Sequence, residues 1–147
     1  MKIAIGSDEK NVLTDFVIKD LIDRNYELAL IGPLAGESLE WTDVAEEVAN
    51  KVAKNECEQG ILFCWTGTGV TIAANKVPGV RAALCTDAGT AEGARKWNDA
   101  NILTMSLRLT SNEIAKEILD AWFNTDMDPS EKSNIKKLDE IEKKHTL

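Results

Sequence analysis

Residues 60–87 read GILFCWTGTGVTIAANKVPGVRAALCTD. The first five, GILFC (60–64), are apolar without polar alternation, the pattern of a strand buried on both faces. A glycine-rich turn then leads into a helix expected near 70–76, and VRAALC (80–85) reads as the next strand. Strand, turn, helix and strand in that order make one parallel crossover unit.

The same rhythm continues on both sides. Upstream, KIAI (2–5) is a short strand stopped by Gly6, and Val12, Phe16, Val17, Ile18, Leu21 and Ile22 follow at helical spacing. ELALI (27–31) is a second strand, ended by Gly32-Pro33, and Asp43–Lys54 carries Val44, Val48 and Val52 four residues apart. Downstream come a helix near 88–97, the strand NILTM (101–105) and a helix over Ile114–Trp122. Five βα units predict an α/β fold: a Rossmann-like three-layer αβα sandwich with a five-stranded parallel sheet and a C-terminal helix. A (β/α)8 barrel would need eight such units. The segment Pro129–His145 is highly charged, yet Ile135, Leu138 and Ile141 recur every third residue. A solvated tail has no use for an apolar stripe, so residues 129–147 are expected to form a helix docked on the body or bridging subunits. The whole chain, 1–147, reads as one domain.

Composition narrows the function. The formal net charge of -8 disfavours nucleic acid, whose phosphates attract basic surfaces. No stretch approaches the roughly 18 apolar residues of a membrane span. Three cysteines, Cys57, Cys64 and Cys85, form an odd set that points to a reducing, cytoplasmic setting rather than a disulfide framework. The only histidine is His145, and the cysteines show no ligand spacing, so neither a metal site nor another cofactor is expected.

In open parallel sheets ligands bind beyond the carboxyl ends of the strands. Strand one ends in GSDEKN, which places Asp8, Glu9 and Lys10 there, and strand three ends in CWTGTG. A glycine-rich turn opening a helix presents backbone N–H groups to an oxyanion, although a plain tight turn uses the same glycines. Cys64, just before that helix, is placed to act as a base or nucleophile, or simply to fill space as a small apolar residue. The turn matches neither the dinucleotide fingerprint nor the phosphate-binding P-loop, which leaves nucleotide binding with little support. Past strand four, Asn98 stands where it can cap, turn the chain or reach a ligand, and Arg108 stands just past strand five.

Together with ARKWNDANILTMSLR (94–108), the opening run resembles the type B ribose-5-phosphate isomerase and galactose-6-phosphate isomerase family, and the initial GSD and the five-unit spacing agree. The resemblance implies an aldose–ketose isomerase of sugar phosphates that works through an enediolate without a metal. It also implies a homodimer or homotetramer with sites between subunits. By position, Cys64 would be the base, and backbone N–H groups of the 66–70 loop, from Gly67, Thr68, Gly69 and Val70, would hold the enediolate oxygen. Thr66 and Asp8 would touch hydroxyls or help open the ring, and Asn98 would hold a substrate hydroxyl.

The chain departs from the family pattern at telling places. Glu9 and Trp97 stand where the family commonly has His, and Trp65 stands in place of a Gly. Trp41 falls near the family's Asp-Tyr-Pro segment, and Ser130, Glu131 and Asn134 align with its phosphate-binding Arg-His and Arg. One reading makes Trp41, Trp65 and Trp97 a common rim against a sugar face, with Glu9 as the ring-opening acid and Lys10, Arg108 or Lys132 supplying positive charge. The other makes the indoles filler at a subunit interface, and the alternative for the function as a whole is a non-catalytic carbohydrate-binding relative that kept the fold.

Overall fold

The computed structural model describes residues 1–146, so Leu147, the end of both the expected domain and the expected terminal helix, lies outside the described residues. Five strands, β1 (Lys2–Ser7), β2 (Glu27–Ile31), β3 (Gln59–Cys64), β4 (Ala82–Leu84) and β5 (Ile102–Ser106), pair in parallel in the order β2-β1-β3-β5-β4. The helices are α1 (Val12–Asp23), α2 (Trp41–Ala53), α3 (Thr68–Asn75), α4 (Ala88–Asn98), α5 (Asn112–Phe123) and α6 (Lys132–His145). This is the expected αβα arrangement, with two core layers on opposite faces of the sheet.

Strand alternation sorts the side chains into those layers. Ile3, Ile5, Ile61, Phe63, Leu103 and Met105 pack with α1, α4 and α5, whereas Ala4, Leu62, Cys64 and Ile102 pack with α2 and α3. Trp122, expected in the core, is 1% exposed and donates from Nε1 to Gln59 Oε1 at 2.9 Å.

Two of the boundaries that differ from expectation have a visible local cause. β1 does not stop at Gly6 but runs through it to Ser7, because Gly6 is a contact point for α2 and not a breaker. A Cβ at Gly6 would lie 2.6 Å from Val44 Cγ1, and one at Gly60 would lie 2.7 Å from Val48 Cγ1. These two missing side chains let α2 settle onto the sheet and bring its first residue, Trp41, over the strand ends. β4 is cut to Ala82–Leu84, since Arg81 before it is occupied by Asp99 and Asn101, and Cys85 after it turns toward α4.

The terminal helix is the least covered element. No residue of α6 is buried, and Leu138 and Ile141 are about half-exposed. Glu142 accepts the Gly79 N–H with both carboxylate oxygens at 3.1 Å. Clefts of about 380 and 370 Å³ separate α6 from β4 and from the end of α4.

Candidate active site

The chain crosses from β1 to β2 in one direction and onward through β3 in the other, so the carboxyl ends of β1 and β3 flank a topological switch point. Ser7 pairs with Phe63 there, which sets Asp8 and Cys64 beside one another at the sheet edge. Cys64, facing α2 and α3, lines a cavity of about 270 Å³ together with Asp8, Trp41, Trp65, Thr66, Thr68 and Gly69.

The turn into α3 is shaped for close backbone approach. Gly67, the N-cap residue, has φ 78°, in the left-handed region. A Cβ there would lie 2.7 Å from Leu84 Cδ1 and 3.0 and 3.1 Å from the Met105 carbonyl carbon and oxygen. Both conformation and space therefore exclude any other residue. No side chain caps α3, so its first N–H groups keep no partner within the helix and sit at the positive end of its dipole. Such a helix start favours a negative oxygen placed beside it. The Thr66 and Thr68 hydroxyls lie 2.8 Å apart beside it. Val70 is fully buried and does not line the cavity.

Two indoles wall the cavity. The six-membered ring of Trp41 covers Gly69 so closely that a Cβ there would meet it at 3.0, 3.1 and 3.3 Å. Trp41 is 40% and Trp65 57% exposed, so each offers a free face to a ligand. The Asp8 carboxyl is pushed up by burial, against a hydrogen bond from its own backbone, and the Glu40 charge raises it further. Its Oδ1 is buried with no hydrogen-bond partner among the described residues. A carboxyl in that condition is suited to exchange protons with a hydroxyl placed beside it.

The remaining expected residues lie elsewhere. Glu9 is exposed on the loop after Asp8, with its carbonyl accepting from Ser7 Oγ at 2.6 Å, and it does not line the cavity. Lys10 is paired with Asp15 at 2.7 Å. Arg108 is exposed, its backbone N–H bonds the Trp65 carbonyl at 3.1 Å, and its guanidinium makes no ion pair among the described residues. The expectation of a common rim for three tryptophans does not hold within one chain. Trp97 and Asn98 end α4, which descends from the carboxyl end of β4 to the amino end of β5, so they lie at the opposite end of the sheet. There Trp97 folds against Gly93 and lines the α6 cleft.

All three cysteines are buried, but of the three only Cys64 lines the cavity. Desolvation raises the Cys57 and Cys85 thiols, Cys85 to about 12 with help from the Asp87 charge. Among the described residues no three His, Cys, Asp or Glu side chains gather as a metal-ligand set. Sequence reading missed the contribution of β5 to this site. No local signal places β5 between β3 and β4, where Leu107 N–H bonds the Cys64 carbonyl at 3.0 Å.

Comparison with known proteins agrees with this fold. A family model described as Ribose/Galactose Isomerase matches residues 3–141. Ribose-5-P isomerase B of Listeria innocua is 38% identical over 147 residues, covering 99% of each chain. D-erythrulose-4-phosphate isomerase of Pectobacterium atrosepticum is 36% identical over 136 residues, covering 87% of this chain and 86% of the relative. The solved ribose-5-phosphate isomerase B of Clostridium thermocellum superposes with a TM-score of 0.92 at 40% identity, covering 99% of this chain and 100% of that one. By sequence along nearly its whole length, and by fold, the chain belongs to the Ribose/Galactose Isomerase family.

Proposed function

We propose that this protein is an aldose–ketose isomerase of a short-chain sugar phosphate, with Cys64 as the base and the 66–70 loop as the anion hole. The observation that carries the reading is the meeting of Cys64, Asp8 and the uncapped, glycine-formed start of α3 on one cavity. The Cys64 thiolate takes the proton from the carbon next to the carbonyl, and the charge passes to the carbonyl oxygen as an enediolate. The loop N–H groups stabilise that oxygen, and the thiol returns the proton to the neighbouring carbon. Asp8 moves protons on the sugar hydroxyls, and Thr66 holds one of them. Trp41 and Trp65 pack against the C–H face of the sugar.

Only Asp8 among the cavity-lining residues is charged, so the phosphate has no cation in its immediate wall. Arg108, exposed and with its N–H on the Trp65 carbonyl, is the proposed source of positive charge. A second copy of the chain supplies Trp97 and Asn98, as the uncovered stripe on α6 and the exposed end of α4 suggest. The proposed form is therefore a cytoplasmic homodimer, or a tetramer built from it, of single-domain chains. That same lack of a wall cation favours a second reading, a carbohydrate-binding relative without turnover.

The deciding experiment follows deuterium from D2O into ribose 5-phosphate, erythrulose 4-phosphate and a hexose 6-phosphate by NMR. Label at C1 or C2 with the native protein, absent with Cys64→Ala, supports the isomerase and identifies its sugar. Binding of one of these sugars without label would establish the second reading.

A further inference from the structure

Three carbonyl groups of the 64–67 turn are held, two of them from residues 106–108 and one from within α3. Cys64 O accepts from Leu107 N–H at 3.0 Å, and Trp65 O accepts from Arg108 N–H at 3.1 Å and from Ser106 Oγ at 3.0 Å. Gly67 O accepts from Thr71 Oγ1 at 2.7 Å. Thr71 Oγ1 also lies 2.5 Å from Thr104 Oγ1. A hydroxyl has one proton, and that of Thr71 is committed to Gly67, so Thr104 must be the donor in the Thr104–Thr71 contact. Thr104 and Ser106 are 0% and 3% exposed, lie on β5, and touch no part of the cavity.

A trans peptide sends its C=O and the following N–H in opposite directions. Holding the Trp65 carbonyl toward β5 therefore turns the Thr66 N–H away from β5, and holding the Gly67 carbonyl back along α3 points the Thr68 N–H out beyond the helix start. Thr66 and Thr68 are on the cavity side of the turn. We infer that Ser106 and the Thr104–Thr71 pair are positioning residues of the anion hole, aiming the Thr66 and Thr68 N–H groups into the cavity through the carbonyls they hold. Thr71 alone would be an ordinary helical threonine bonding back one turn. Thr104 makes the difference, because it leaves the Thr71 proton one direction and ties the helix start to a central strand. This inference rests on the isomerase reading only for its catalytic consequence; the aim of the two amides is a separate, directly measurable claim.

Two sets of variants test it, Ser106→Ala, and Thr71→Val with Thr104→Val. Amide resonances and hydrogen exchange of the native protein and variants are recorded by NMR. Ser106→Ala should move the Thr66 amide and spare Thr68, and the threonine pair should do the reverse. With the sugar phosphate that the native protein labels, each set should lower kcat by roughly tenfold while KM changes less than about twofold, as expected for donors used mainly in the transition state. Ser106→Thr, which keeps the hydroxyl, should restore most of kcat. Amides that stay in place, or a lower melting temperature with unchanged kcat in the folded variants, would overturn the inference. Absence of label with every sugar in the native protein would sink the isomerase reading instead, and the amide measurements would still decide the positioning claim.

Discussion

At the carboxyl ends of β1 and β3 the Cys64 and Trp65 carbonyls are bonded to residues 106–108 and Trp41 lies on Gly69, whereas at the amino ends Trp97, Leu138 and Ile141 stand half-exposed around an open cleft. One end is finished by its own chain, and the other has apolar surface without a cover. Single exposed apolar residues are common on any protein, but a cleft that gathers three of them marks an interaction surface. The contrast separates the end that the chain completes by itself from the end that the proposed homodimer would cover. On the proposed reading, one chain forms the base and the anion hole, and a second copy would supply the far wall and the shelter.

The sharpest way to break this contrast is at the finished end. Cys64→Ala should lower kcat by about 10²–10⁴-fold with little effect on folding, measured by deuterium wash-in against urea denaturation. Gly67→Ala should cost about 2–5 kcal/mol in urea titration, because it adds a left-handed Cβ and a clash with Leu84 and the β5 backbone. At the open end, Leu138→Glu with Ile141→Glu should convert the sedimenting species to a monomer and lower activity, while the melting temperature of the body moves by only a few degrees. An unchanged sedimentation coefficient would remove α6 from the interface.

Two smaller effects refine the picture. Iodoacetamide at pH 8 should label Cys64 first, with Cys57 and Cys85 left largely unmodified in the native state, as peptide mass mapping would reveal. Asp8→Asn should raise the melting temperature at pH 7. The raised carboxyl favours the protonated native state, so its ionisation weakens the fold as pH rises, and the difference from wild type should close below about pH 4. A variant no more stable than wild type at neutral pH would mean that burial of Asp8 is not a strain on the fold.

What could be read from the chain alone follows the range of the forces involved. The βα rhythm, Cys64, Asp8 and the 66–70 turn were legible because periodicity and turn chemistry are local. The placing of Trp97 was not, since α4 carries it through the depth of the sheet, and a rim assigned by order along the chain ignores that travel. Gly6 looked like a stop because its role is steric and comes from Val44, far away in sequence. Ser106 and Thr104 could not be singled out at all. Their use depends on β5 lying beside β3, a pairing that only the assembled sheet creates.

The four indoles divide into three settings: Trp122 sealed in the core, Trp41 and Trp65 on the cavity, and Trp97 at the far cleft. The molecule thus carries its own optical labels. Quenching or a blue shift from Trp41 and Trp65 would follow ligand entry, a shift from Trp97 would follow chain association, and Trp122 would stay silent until the fold itself opens. Three single Trp→Phe replacements would be enough to assign these signals and to watch the separate events in one cuvette.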